Sequence, residues 1–174
     1  MYAFGIEHEV AFLRSDGTFA DFSNTSFEEL DRIIERLPEF PGDYPQLRIG
    51  DASIKVKRWY IEGFERFEDS PDVVVCAPKG IEIRTTVHKS IQGVLTELRE
   101  SFELLRETAA EFGFQPALVS YNPFESHFTP DPPLNQYEIA RRRTSPEKQT
   151  AEIPMVTYGP DLNISVQGVL QREI

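Results

Sequence analysis

Residues 5–10 read GIEHEV, and they decide how the rest of the chain is read. They sit between Tyr2, Ala3 and Phe4 on one side and Ala11, Phe12 and Leu13 on the other. This is strand composition, and a buried strand is a costly place for two carboxylates. Side chains alternate along a strand, so residues i and i+2 share a face about 6.5 Å apart. Glu7 and Glu9 therefore converge on one face, while Ile6, His8 and Val10 pack away on the other. Such a pair of acids either looks onto water or gathers one or two divalent cations.

Two further segments repeat the pattern. In GIEIRTTV (80–87), Glu82, Arg84 and Thr86 alternate with Ile81, Ile83 and, further on, Val87. Glu82 and Arg84 read as a surface ion pair, or as a third cation ligand beside a guanidinium that binds carboxylate or phosphate. In PDLNISVQGV (160–169), Asp161, Asn163, Ser165 and Gln167 alternate with Leu162, Ile164 and Val166. Three such strands suit a curved sheet with one face on a helix and the other lining a charged cleft. Amphipathic antiparallel strands are common, so a plain solvated face stays open as the alternative. A fourth element, Asp51-Ala52-Ser53, reads as ordinary turn chemistry or as a substrate hold near the acids.

The whole chain is compatible with this reading. Its 174 residues suit one domain, and 40% hydrophobic with 27% charged residues is a globular composition. A formal net charge of −11 argues against nucleic acid and anionic membranes as partners. The lone Cys76, within VVVCA, can form no internal disulfide and reads as a core thiol of a reducing cytoplasm. No stretch has the length and apolarity of a transmembrane helix, and MYAFGIEHE lacks a basic leader region.

Along the chain, strands are expected at 2–14, roughly 18–22, 46–50, 53–61, 73–78, 80–87, 117–121 and 155–170. Residues 62–72 read as a turn or loop. A capping box at Ser26 and Glu29 opens a helix over roughly 27–37. The long helix spans 89–113, with Ile91, Val94, Leu95, Leu98, Phe102, Leu105, Ala109 and Phe112 as its apolar stripe. Residues 122–135 hold four prolines and form an irregular loop, followed by a short helix at 135–143. The order predicts an α+β fold with a curved, largely antiparallel sheet and the long helix packed on one face.

Among single residues, His8 reads as a satisfied structural histidine and His88 as a solvent or cap residue. His127 is a candidate lid residue in the proline-rich loop. Arg141–Arg143 complement the end of a helix macrodipole or bind a nucleotide phosphate. Trp59 and Tyr60 read as core or sheet-edge packing.

With these segments in hand, the chain resembles the glutamate–cysteine ligases and related carboxylate–amine ligases of the glutamine-synthetase-like superfamily. GIEHE is similar to the family's opening G-[IV]-E-x-E strand, DAS to D-x-S, and EIRT to E-[IL]-R-[ST]. LVSYNPFESHF resembles the loop that carries His-Pro-Phe, with Asn122 where histidine is usual. NQYEIARR resembles the R-Y-x-x-[IL] helix, and YGPDLNISVQGV the Y-G-x-H-V-H-V-G strand. The H-x-H pair is replaced by Asn163-Ile164-Ser165, which can hydrogen-bond but ligates metal poorly.

The resemblance covers the chain in order and implies half of a glutamine-synthetase-like catalytic domain, since family members run to well over 300 residues. It implies Glu7, Glu9 and Glu82 as Mg²⁺ ligands at an ATP site, with Arg84 as the fourth catalytic residue. It implies Asp51, Ser53, Thr85, Asn163, Ser165 and Gln167 as substrate-binding positions. The implied partners are a nucleotide and an amino-acid substrate. The implied reaction is phosphorylation of a carboxylate by ATP, then attack of an amine on the acyl phosphate. No G-x-x-x-x-G-K-[ST] loop is present, so nucleotide binding of the P-loop kind is not expected. Two other functions stay open: a non-catalytic ligand-binding or interaction domain with the same fold, and a metal-dependent hydrolase using Glu7, Glu9 and Glu82. An incomplete domain would expose sheet edges, so homo-oligomerisation through them is a further expectation.

Overall fold

The computed structural model describes residues 2–40, 58–69, 73–143 and 153–166. The fold is α+β: six antiparallel strands and three helices among the described residues. In chain order they are β1 (Tyr2–Arg14), β2 (Phe19–Ala20), α1 (Phe27–Arg36), β3 (Trp59–Phe67) and β4 (Val73–Arg84). Then come α2 (Ile91–Glu111), β5 (Phe114–Ala117), α3 (Gln136–Arg143) and β6 (Pro160–Val166).

The opening strand is the axis of the sheet. Glu7 and His8 have partners on both sides, Arg84 and Ile83 in β4 and Asp161 and Pro160 in β6. Further along, β1 pairs with β2 through Phe12–Leu13 and with β5 through Ala11–Arg14. β3 lies outside β4. One face of this sheet is apolar: Val10, Ile81, Ile83, Trp59 and Ile61 form a buried core with Leu30, Ile33 and Ile34 of α1 and Leu105 and Ala109 of α2. The capping box of α1 forms as read, with Glu29 N–H donating to Ser26 and Ser26 N–H donating to Glu29.

Several boundaries differ from the sequence expectation, each for a physical reason. Residues 62–67, read as loop, continue β3, which pairs with β4 from Trp59 to Phe67. Register shifts at Glu62/Gly63 and Arg66/Phe67 break the two-residue alternation that would have marked a strand. The segments 73–78 and 80–87 are a single strand to Arg84, and Gly80 permits its passage because a Cβ there would sit 2.3 Å from Val10 O. The strand expected at 117–121 lies instead at Phe114–Ala117, where Phe114 packs edge-on against Phe12. The last strand begins at Pro160 rather than 155, and Met155 and Val156 are buried in the turn before it. The expected strand at 46–50 and the start of the one at 53–61 lie outside the described residues.

Helix α2 is rotated relative to its expected stripe. Its buried line is Val94, Glu97, Ser101, Leu105 and Ala109, while Ile91 and Leu95 are exposed. Glu97 and Ser101 go inward because they serve polar groups there. Ser101 O accepts from Trp59 Nε1 at 3.1 Å, and Ser101 Oγ accepts from Arg58. Glu97 accepts from Thr86 N–H and Oγ1 and is bonded to His88 Nε2. His88 is therefore neither a cap nor a solvent residue; Ser90 is the cap. His8 lies on the core side as expected, but its buried Nδ1 has no hydrogen-bond partner, and burial lowers the ring's pKa. No described helix is long and apolar enough to cross a membrane.

The close approach at Gly80 gives a direct check. Gly80→Ala should destabilise the fold by on the order of 2 kcal/mol, because backbone rather than a flexible side chain must yield. The measurement is the urea midpoint, and a midpoint equal to wild type would refute the close approach.

Candidate functional site

The sheet face opposite the core is polar, and cross-strand register assembles it. Glu7 lies opposite Arg84 on one side and Asp161 on the other, and Glu9 lies opposite Glu82. Tyr60 of β3 lies opposite Glu82, and Glu62 opposite Gly80. Directly paired residues share a face, so Tyr60, Glu62, Glu82, Arg84, Glu7, Glu9 and Asp161 form one continuous surface.

Two cations are set into this field. Lys79 is almost fully buried, and its Nζ donates to Glu9 Oε1 at 2.7 Å and to Thr157 O at 2.9 Å, with Pro154 O as a third acceptor. It also stands 5.5 Å from the Tyr158 ring centroid. Arg84 pairs with Glu82, reaches Glu7 Oε1 at 4.0 Å, and lies 4.2 Å over the Tyr60 ring. Among the described residues five acids face two cations, so this face keeps an excess of negative charge even where Glu62 holds a proton. Burial, reinforced by this crowding, raises the carboxyls of Glu9 and Glu82 above the usual range, although Lys79 and Arg84 pull the other way. Glu62 is pushed up to about 8, by burial first and by the Glu82 charge second.

Of the residues expected at the site, Glu7, Glu9, Glu82 and Arg84 come together on this face. Asn163 and Ser165 are exposed on β6, opposite Gly5 and Ala3, on the same face but toward the sheet edge. Thr85 is placed elsewhere: its hydroxyl accepts from Ile6 N–H at 2.9 Å, and its own N–H donates to Ile6 O. Thr86 turns away to Glu97 on α2 because β4 ends at Arg84. Asp51, Ser53 and Gln167 lie outside the described residues. Asn122, aligned with the family's histidine, is buried and bonds Asp21 at 2.7 Å while accepting from Phe124 and Glu125 N–H. It secures the proline-rich loop to the turn after β2. His127 is exposed on that loop and contacts Ser126. Arg141 and Arg142 stack on Phe67 and Phe64.

Lys79 and Glu62 were not read from the sequence as site residues. Counting back by twos from Glu82 places Gly80 and Pro78 on the polar face and Lys79 on the other. The register shift beside Gly63 reverses that parity. Glu62 carried a usable signal, alternation through Trp59-Tyr60-Ile61-Glu62, that stopped short at the presumed loop.

The all-oxygen donor chemistry of this face suits Mg²⁺. Among the described residues, however, no three His, Cys, Asp or Glu side chains are grouped so as to hold a metal ion by themselves. Lys79 and Arg84 take up oxygens of Glu9 and Glu82. Mg²⁺ commonly uses one or two carboxylates and completes its shell with phosphate and water oxygens, a requirement that Glu7 and its neighbours can meet without a protein cage. Comparison with known proteins yields no matching family model, no matching curated protein and no matching solved structure.

Two outcomes follow from the electrostatics. Glu62 has a folded-state pKa raised above its unfolded value, so the folded state holds a proton that the unfolded chain releases. Its contribution is full below pH about 4.5 and is lost as pH rises through about 8. Glu62→Gln should flatten the fall in melting temperature between those limits; an unchanged slope would contradict the assignment. Lys79→Met strips the partly buried Glu9 of its partner and should cost on the order of 2 kcal/mol. Adding Glu9→Gln should recover part of that loss in urea unfolding, and strict additivity would show that the two side chains are not coupled.

Proposed function

We propose that this chain is a glutamate–cysteine-ligase-like domain, the N-terminal half of a glutamine-synthetase-like fold, acting in an ATP- and Mg²⁺-dependent carboxylate–amine ligase. The observation that carries the reading is that Glu7, Glu9, Glu82 and Arg84 are immediate cross-strand neighbours on one polar face. These are the residues the sequence resemblance selects from two separate motifs, 70 and more positions apart in the chain.

In this reading Glu7, with Glu9 and Glu82 beside it, would offer carboxylate oxygens to a Mg²⁺ whose shell is completed by phosphate and water, and the ion would supply neutralisation of nucleotide phosphate charge. Arg84 binds the reacting carboxylate or stabilises the transferring phosphoryl group, with its plane fixed by Tyr60 and Glu82. A substrate carboxylate oxygen attacks the γ-phosphorus of ATP and releases ADP. The incoming amine then attacks the acyl carbon, phosphate leaves, and the amine loses a proton to give the amide. Lys79 holds Glu9 in place and partly opposes the rise that burial imposes on its carboxyl. Asn163 and Ser165 line the outer part of the same face as hydrogen-bonding groups for substrate.

A second reading is favoured by the pairing of Glu9 with Lys79 and Glu82 with Arg84. Here the face is a metal-independent binding site for an amino-acid carboxylate, with no turnover. Calorimetry separates the two. The ligase reading expects Mg²⁺–ATP to bind the wild type and to lose at least tenfold in affinity in Glu7→Gln/Glu9→Gln. Equal binding in both would refute the role of the acids. The binding-domain reading expects glutamate to bind in the presence of a chelator and to be lost in Arg84→Gln, with no nucleotide bound at all.

A further inference from the structure

The outer edge of β6 is open among the described residues, because β6 pairs only with β1. Its hydrogen-bonding pattern says which groups face outward. Glu9 N–H donates to Gly159 O at 3.1 Å. In the same register, Glu7–Asp161, Gly5–Asn163 and Ala3–Ser165 are therefore the hydrogen-bonded pairs. The N–H and C=O groups of Leu162, Ile164 and Val166 accordingly point away from β1.

This edge lacks the usual protections. From Leu162 to Val166 it carries no lysine, no proline and no bulge. Leu162 and Ile164 are 68% and 61% exposed, on the same face as Tyr2, which is itself 59% exposed. The strand is also complementary to itself. An antiparallel two-fold axis at Asn163 sets Leu162 against Ile164 of the other copy, and Asp161 against Ser165. Pro160 then meets Val166, so the missing N–H of proline falls at the rim. The only charge on the strand meets a hydroxyl, not its own copy. The two outward-facing central residues, Leu162 and Ile164, become two hydrogen-bonded pairs flanking a non-hydrogen-bonded Asn163–Asn163 contact, which is the alternation an antiparallel ladder requires.

We propose that β6 pairs with β6 of a second copy of this chain about a two-fold axis at Asn163, making one continuous sheet through the dimer. The exposed leucine and isoleucine of each copy cover those of the other on the apolar side. The two polar faces join into one surface with Asn163 at its centre, independently of what that surface binds.

The test uses residues 1–174 as a single chain. Sedimentation across micromolar concentrations should show a reversible dimer. Ile164→Pro deletes an N–H that points only outward, so it should yield a monomer with an unchanged circular dichroism spectrum. At a non-hydrogen-bonded pair the two Cα atoms stand about 4.5 Å apart, within the roughly 4.4–6.8 Å span of a disulfide. In a Cys76→Ser background, Asn163→Cys should therefore oxidise to a covalent dimer, while Ser165→Cys, which would face Asp161, should not. A monomeric wild type would overturn the proposal. So would a dimer that survives Ile164→Pro, and so would equal cross-linking at 163 and 165. A monomer that instead binds an extended peptide along β6 would assign the edge to a different partner.

Discussion

Hydrogen bonding on both sides of β1 is the constraint on which the rest depends. Because Glu7 and His8 are paired with β4 and with β6 at once, every other strand's register is set relative to this one. The alternation of β1 then divides the molecule. Val10 and Phe12 enter the helix-covered core, and Glu7 and Glu9 are delivered to the opposite face. The pleat fixes this outcome, since a one-residue slip would drive both acids into the core and both apolar residues into water.

The acids on that face are held by cations of the protein's own. A buried lysine is expensive unless its charge is met, and Lys79 is met by one carboxylate and two backbone carbonyls. Through those carbonyls it also ties the turn containing Pro154 and Thr157 to the sheet. Tyr158 adds to the attachment by donating its hydroxyl proton to Lys79 O at 3.1 Å. One side chain thus links the placement of β6 to the electrostatics of the acid cluster. A parallel arrangement on the core side joins β4 to α2, where Glu97 takes Thr86 and His88 together. Polar pairs of this kind explain why α2 presents Glu97 and Ser101 inward and leaves Ile91 and Leu95 in solvent.

The sequence carried a good part of this. Alternation was sufficient for GIEHEV, for GIEIR and for DLNISV, because in each the polar and apolar residues are separated by the pleat without interruption. It identified Glu7, Glu9, Glu82 and Arg84 as neighbours in kind, and the capping box and the basic end of α3 were legible for the same local reason. It failed for β3, where two register shifts disrupt the period, and for the face of α2. There hydrophobicity alone could not reveal that buried polar residues have partners waiting in Trp59, Arg58 and Thr86.

What the sequence determined by itself is the amphipathic division of each strand, since that follows from spacing along a backbone whose side chains alternate. What only the tertiary structure decided is which charges meet. Lys79 reaches Glu9 because a register shift turns it to the polar face, and Arg84 settles between Glu82, Glu7 and the Tyr60 ring because three strands align there. Such pairings join residues far apart in the chain. Their partners are chosen by strand register and burial, and no local pattern encodes either.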